Sequence, residues 1–288
     1  MLEVPSPAQQ ASMKAISQTV EKIATTLHAL PCVDWINIPE IIEENHEGKP
    51  LYRNMDTRDF GILLRATVQK PLAVNKVVVH SSSAQDFETW LKDTLLAYNI
   101  ENTIFVGGNN NTTKYSGISV LEANKIAQQY SALQVGNIAI PERTHEVERM
   151  IAKTESGCKF FTTQILFESN KINSVLQEYE KTCTEKNLKP ATVFLTFAPV
   201  TTLEDVHFVK WLGAQLSAET EQKLTKEPEQ IGLKSVEHAN QVLNEILHFR
   251  EQNKLSIPVS LNIETLALRN LPTTKQMVDK LSKSFGKK

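Results

Sequence analysis

The sequence is short of the residues that would reveal its chemistry at once. It has three cysteines in 288 residues, Cys32, Cys158 and Cys183. They are too far apart for a zinc ribbon or a redox pair. Odd in number and scattered, they point to a reducing cytosol and not to a disulfide framework. No apolar run approaches the roughly 20 residues that a membrane-spanning helix requires. The start, MLEVPSPAQQ, is polar and proline-marked. A signal peptide would begin with charge and continue with an apolar run, so a cytoplasmic protein is expected. Neither sign of charge is in excess. A formal net charge of −2 gives no electrostatic case for nucleic acid or a membrane surface. No H-x-x-x-H pair or other metal spacing appears, so no metal is expected. Ser81 to Ser83 lack a G-x-S-x-G context, which argues against an acyl-transfer serine. The stretch EVPSPAQQ has no glycine-rich turn, which a doubly wound dinucleotide fold would need after its first strand.

What is present is ordinary globular composition, 41% hydrophobic and 22% charged, arranged in a regular alternation. Short apolar runs read as strands: MLEV, CVDWINI, PLAVNKVVVH, NTIFVGGNNN, LQVGNIAIPE, KFFTTQILFE, ATVFLTFAPV and SIPVSLNIE. Amphipathic stretches follow each, such as 7–30 with Ile16, Val20, Ile23 and Leu27 at helix spacing. Eight β–α repeats in one chain of this size predict an α/β fold, a single (β/α)₈ TIM barrel over residues 1–288. A helical insertion at about 217–252 precedes the last strand. The open doubly wound sheet is the rival architecture.

Barrels of this kind do their chemistry at the C-terminal ends of the strands. The polar residues there are Glu3, Asn37, Glu40, His80, Ser81, Asn109, Glu142, Gln164, Thr196, Asn262 and Glu264. Glu3 is either a terminal residue paired with a lysine or a general acid in a partly dry pocket. VGGNNN, residues 106–111, is either an anion cradle of backbone N–H groups or a loop that needs positive φ. PERTHEVERM places Glu142, His145 and Glu146 at a strand-to-helix junction, where capping accounts for much of the acidity. Gln164 interrupts a buried strand near its end. A buried amide without partners costs about 1–3 kcal/mol, so its partner is either the protein or a ligand.

The block from Val135 to Glu168, VGNIAIPERTHEVERMIAKTESGCKFFTTQILFE, resembles the methylenetetrahydrofolate reductase family. The family has a strand ending in Pro-Glu, a His and acidic segment, a lysine-bearing helix, a small-residue stop and a strand ending in Ile-Thr-Gln. Here these are Pro141-Glu142, His145-Glu146, Lys153, SGCKF and TTQILF. The resemblance runs more loosely through LEVPSP, TFAPVTT and SLNIETLALRN. It implies a (β/α)₈ barrel and an oxidoreductase of one-carbon metabolism. The reaction would be reduction of 5,10-methylenetetrahydrofolate to 5-methyltetrahydrofolate by hydride from flavin or NAD(P)H. It implies Glu3 as the acid that opens the folate ring, with Asn109 at the position of a catalytic aspartate. It puts Gln164 on the pterin, with Phe197 and Asn262 as further substrate contacts. It assigns Gly107, Gly108, Glu142, His145, Glu146 and Lys153 to FAD, with NADH or NADPH as electron donor. Gly107-Gly108-Asn109 stands where the family carries an Arg-Gly-Asp-like tripeptide, so an arginine phosphate partner and a carboxylate are gone. The alternative it leaves is a non-catalytic folate-binding barrel, working as a homo-oligomer or with a methyltransferase or reductase partner.

Overall fold

The computed structural model describes residues 1–44, 49–108 and 115–286. Asn109, expected beside the substrate, lies outside the described residues. The strands are β1 (Leu2–Glu3), β2 (Ile36–Ile38), β3 (Ile42–Glu44), β4 (Pro50–Tyr52), β5 (Leu72–Val77), β6 (Asn102–Val106), β7 (Gln134–Ala139), β8 (Phe160–Thr163), β9 (Thr192–Phe197) and β10 (Val259–Glu264). The helices are α1 (Met13–His28), α2 (Thr57–Val68), α3 (Ala84–Leu96), α4 (Val120–Ala127), α5 (Glu146–Glu155), α6 (Asn170–Glu185), α7 (Leu203–Trp211), α8 (Ala218–Thr225), α9 (Ile231–Gln252) and α10 (Leu271–Phe285). Eight strands close a barrel in the order β1-β10-β9-β8-β7-β6-β5-β2. The β–α alternation in the sequence therefore has the meaning expected of it, a (β/α)₈ barrel. The β3–β4 pair is a separate two-stranded antiparallel sheet, in a stretch the sequence presents as a polar loop.

Contacts divide the chain into two compact units. The first comprises Met1, Glu3–Ile138 and Ala152–Phe160. Its helices start where their sequences say they should. Ser12 accepts from Ala15 N ahead of α1, Asp56 accepts from Arg58 N ahead of α2, and Ser119 with Glu122 forms a capping box on α4. Phe87 and Leu91 of α3, Ala123 and Ala127 of α4, Phe105 of β6 and Val135 of β7 pack into one buried cluster. A buried phenylalanine of this kind contributes about 1.5–3 kcal/mol. Because Phe105 faces those helices, Thr103 does too, and Asn102 and Ile104 face the other way, into the barrel. Gly136 on β7 leaves room for the Phe160 ring, which meets Trp35 edge-on with centroids 5.6 Å apart. A Cβ at Gly136 would lie 2.3 Å from the ring of Phe160.

The second unit comprises Leu2, Ala139–Ile151 and Phe161–Lys288. Its core joins Ile165 and Phe167 after β8, Ala198 and Val200 after β9, Val206 and Val209 of α7, Leu224 of α8 and Ile231 of α9. Asp205 in the first turn of α7 accepts from the Thr201 N–H and hydroxyl at 2.8 Å each and from Asn270 Nδ2 at 2.9 Å, and pairs with Arg269. Burial would raise its carboxyl, but the Thr201 and Asn270 hydrogen bonds and the Arg269 charge bring it below the ordinary value. This carboxylate joins α7 to the turn that leads into α10.

Candidate functional site

In the first unit, Glu3 ends β1 and Asn37 stands on β2 beside it. Asn37 Nδ2 donates to Glu3 Oε2 at 2.6 Å, and Val4 N donates to Asn37 O at 2.9 Å. Glu3 is 9% exposed and Asn37 fully buried, so Glu3 is a fixed carboxyl and not a frayed end. Asn37 Oδ1 is buried and has no hydrogen-bond partner among the described residues, and the same holds for Asn75 Oδ1 on β5.

Beyond these strands lie two ionic contacts. Glu40 accepts from Lys76 Nζ at 2.8 Å and from Val77 N at 2.6 Å, closing the end of β5. Glu44 of β3 takes His80 Nε2 at 3.0 Å on one oxygen and the Tyr115 hydroxyl at 3.0 Å on the other. The sequence singles out His80 but not its partners. Glu44 sits on the unanticipated hairpin, and Tyr115 is 71 residues from it. Tyr115 also covers Gly108, where a Cβ would lie 2.1 Å from its ring. Neither Gly107 nor Gly108 has positive φ, so it is the tyrosine ring that requires glycine at 108.

In the second unit, Gln164 follows the last residue of β8. Its Nε2 donates to Leu212 O at 2.8 Å, and its Oε1 accepts from Ile165 N at 2.9 Å. Its own N–H donates to Ala139 O at 2.8 Å. The protein thus satisfies one donor and one acceptor of the side chain, leaving the second N–H and the second lone pair for a ligand. Asn262 Nδ2 donates to Thr196 Oγ1 at 3.3 Å. In the β9–β10 register Asn262 is opposite Thr196 and Ile263 opposite Phe197. Asn262 and Phe197 therefore point to opposite faces of the sheet, and a ligand touching Asn262 meets Thr196 from β9.

Three of the residues assigned to FAD, His145, Glu146 and Lys153, are engaged by their own chain. Glu146, 2% exposed, accepts from Ile140 N at 3.0 Å. His145, with φ 59°, is exposed at the start of α5, and its Nδ1 lies 3.0 Å from Glu148 Oε1. In the first unit Lys153 Nζ donates to Ile138 O at 2.7 Å. A flavin diphosphate requires donors aimed outward, and this set turns its donors inward or onto a neighbouring carboxylate. Glu142 is different. It is half-buried, and its Oε2 is shielded with no hydrogen-bond partner among the described residues. Burial pushes its carboxyl above the ordinary range, the neighbouring Glu146 adds to this, and its own N–H and Lys171 oppose it. A raised carboxyl just past a barrel strand is a functional-site candidate. Of the cysteines, Cys158 is buried and its thiol is pushed up to about 12 by burial, so it is not a nucleophile at neutral pH.

The closed (β/α)₈ barrel thus carries a fixed glutamate, buried amides and polar residues on or just beyond its strands, at the end where barrels of this class keep their sites. The family model described as "Mycobacterial methylenetetrahydrofolate reductase" matches residues 2–269. The chain belongs to that family. Comparison with curated proteins gave no match. Among solved structures, an uncharacterized protein from Clostridium thermocellum superposes with a TM-score of 0.81 at 21% identity, covering 99% of this chain and 96% of that one. Its structure is described as binding two copies of 5-methyl-5,6,7,8-tetrahydrofolic acid. The Bacillus cereus spore cortex-lytic enzyme SleL shares the fold at a TM-score of 0.51 and 9% identity, covering 97% of this chain and 73% of that one. Among the described residues, no helix is long and apolar enough to cross a membrane.

Proposed function

We propose that the protein reduces 5,10-methylenetetrahydrofolate to 5-methyltetrahydrofolate with NADH or NADPH as the hydride donor. The observation that carries this reading is the buried Glu3, held by Asn37, in a chain of this family. A proton delivered from Glu3 to N10 breaks the bond between N10 and the methylene carbon and leaves a cationic iminium on N5. Glu3 is left as a carboxylate, which stabilises that cation. The nicotinamide supplies the hydride that adds to the methylene carbon and gives the methyl group. In the second unit, Gln164 keeps an N–H and a lone pair beyond those that Leu212 and Ile165 use, which a polar ligand can take. Because His145, Glu146 and Lys153 are engaged by the chain, we take the nicotinamide as the direct hydride donor. Purified protein is expected to be colourless and to oxidise NADH or NADPH only when methylenetetrahydrofolate is added. A flavin spectrum at one equivalent would overturn the direct route, and no oxidation of either nucleotide would overturn the reductase.

A second reading is favoured by one observation, the folate bound to the Clostridium thermocellum neighbour. In it the barrel binds 5-methyltetrahydrofolate without turnover and presents it to a methyltransferase. Tight folate binding by calorimetry together with no turnover would select this reading.

A further inference from the structure

We infer that the side-chain oxygens of Asn37 and Asn75, beside Glu3, form a subsite for two N–H donors of a ligand, the 2-amino-4-oxo-pyrimidine edge of a reduced pterin. This rests on the folate reading above and names the part of the ligand the subsite takes.

Both oxygens are buried and without a partner among the described residues. Asn37 is 0% exposed and Asn75 is 8% exposed. Leaving one amide oxygen unpaired in a protein interior costs about 1–3 kcal/mol, and here two such oxygens stand on adjoining strands. Elsewhere Asn102 Nδ2 donates to Leu72 O at 3.0 Å, and Asn124 and Asn137 bond each other in both directions.

The register fixes where the two oxygens' side chains point. β5 pairs with β6 so that Val74 is opposite Thr103 and Asn75 opposite Ile104. Thr103 and Phe105 face the helices, so Asn75 faces the barrel interior. β2 pairs with β5 so that Asn37 is opposite Ala73, which shares the face of Asn75. Asn75 is thus one strand over and two residues along from Asn37, about 8 Å between Cα atoms from standard strand spacings. A single small ring spans that separation once the side chains reach toward it.

The chemistry of the set selects donors. One Asn37 N–H goes to Glu3, which fixes how the amide is turned, and the atom left buried without a partner among the described residues is its oxygen. An arrangement dominated by acceptors suits an aminopyrimidinone, whose ring N–H and exocyclic amine are adjacent donors. It does not suit phosphate, which offers only acceptors. A metal ion is a poor occupant as well. Among the described residues no three or more His, Cys, Asp or Glu side chains gather to hold one.

The test is calorimetric titration of the full chain with 5-methyltetrahydrofolate, using wild type, Asn75→Leu and Asn75→Asp. Leucine keeps the branching of asparagine at Cγ, is bulkier, and removes the acceptor, whereas aspartate keeps shape and acceptors and removes donors. Asn75→Leu is expected to weaken binding about ten- to a hundredfold, the value of one hydrogen bond to a buried group. Asn75→Asp is expected to bind at least as tightly as wild type, an outcome a merely structural asparagine does not give. Unfolding in urea confirms that each variant is folded. A folate analogue carrying methyl in place of the 2-amino group should bind wild type more weakly and be indifferent to Asn75→Leu. If wild type binds no folate, the functional reading fails and takes this inference with it. If wild type binds and Asn75→Leu binds equally well, the subsite holds an ordered water only and this inference alone is overturned.

Discussion

Gln164→Leu separates the two partners of that side chain, protein and ligand. The substitution keeps the bulk and removes the donor to Leu212 O and the acceptor for Ile165 N, bonds of 2.8 and 2.9 Å. Each such bond contributes about 0.5–1.5 kcal/mol net, and the carbonyl and N–H left behind are half shielded from water. The loss of unfolding free energy should therefore be about 1–3 kcal/mol, read from urea unfolding as a lower midpoint with an unchanged slope. If the remaining N–H and lone pair hold a pterin, the same variant should also lose about tenfold or more in folate affinity. Gln164→Glu refines the result. Its carboxylate still accepts from Ile165 N but sets an oxygen against Leu212 O, so it should lose stability as well. An unchanged unfolding midpoint in Gln164→Leu would refute the two intramolecular bonds. A lowered midpoint with unchanged folate affinity would make Gln164 a structural amide and remove it from the ligand site.

Three further perturbations test other parts of the molecule. Asp205→Asn should cost about 1.5–3 kcal/mol at neutral pH, the range for hydrogen bonds to a charged group. Because the native carboxyl lies below its ordinary value, that stabilisation is present above the unfolded value and disappears as pH falls through the folded one, so the two proteins should converge in acid. Glu142→Gln should behave oppositely. The raised native carboxyl is a penalty that grows as pH rises from about 4, so the variant should be the more stable protein at neutral pH and equal to wild type below about pH 4, as measured by unfolding at both. Gly136→Ala forces a Cβ to within 2.3 Å of the Phe160 ring and should cost about 1–3 kcal/mol, with Phe160→Leu in the same chain restoring most of it.

The barrel was legible because each β–α repeat carries its own periodicity, and eight repeats leave few other closures. The β3–β4 hairpin was not. Leu51 and Tyr52 are exposed and Ile42 only partly covered, so no buried face marks its strands. The apolar run KFFTTQILFE predicts a strand to Glu168, yet β8 stops at Thr163. The residues after it are apolar because they pack beneath α7 to α9, and burial alone does not separate a strand from a packed loop.

The site divides along a similar line. Consecutive β–α units place their strands side by side, so a barrel already makes β1 a neighbour of β2 and β2 a neighbour of β5. The Glu3–Asn37 bond and the adjacency of Asn37 and Asn75 follow from that order and from the period of two along a strand. Asn75 even carries the signal that singles out Gln164, an amide within an apolar run, and the sequence alone could have raised it. The Gln164–Leu212 bond has no such rule behind it. It joins the residue after one strand to the turn after α7, across 48 residues, and the lengths of the intervening helices decide whether the two meet. His145 shows the converse. Its left-handed backbone and its contact with Glu148, which set its direction at the start of α5, are not encoded in the family pattern. Pattern locates a residue along the chain, whereas its direction is set by local backbone geometry that the pattern does not encode. Strand residues inherit their direction from the sheet, so the amides and carboxyl on β1, β2 and β5 are where sequence reasoning about this ligand site has the firmest physical basis.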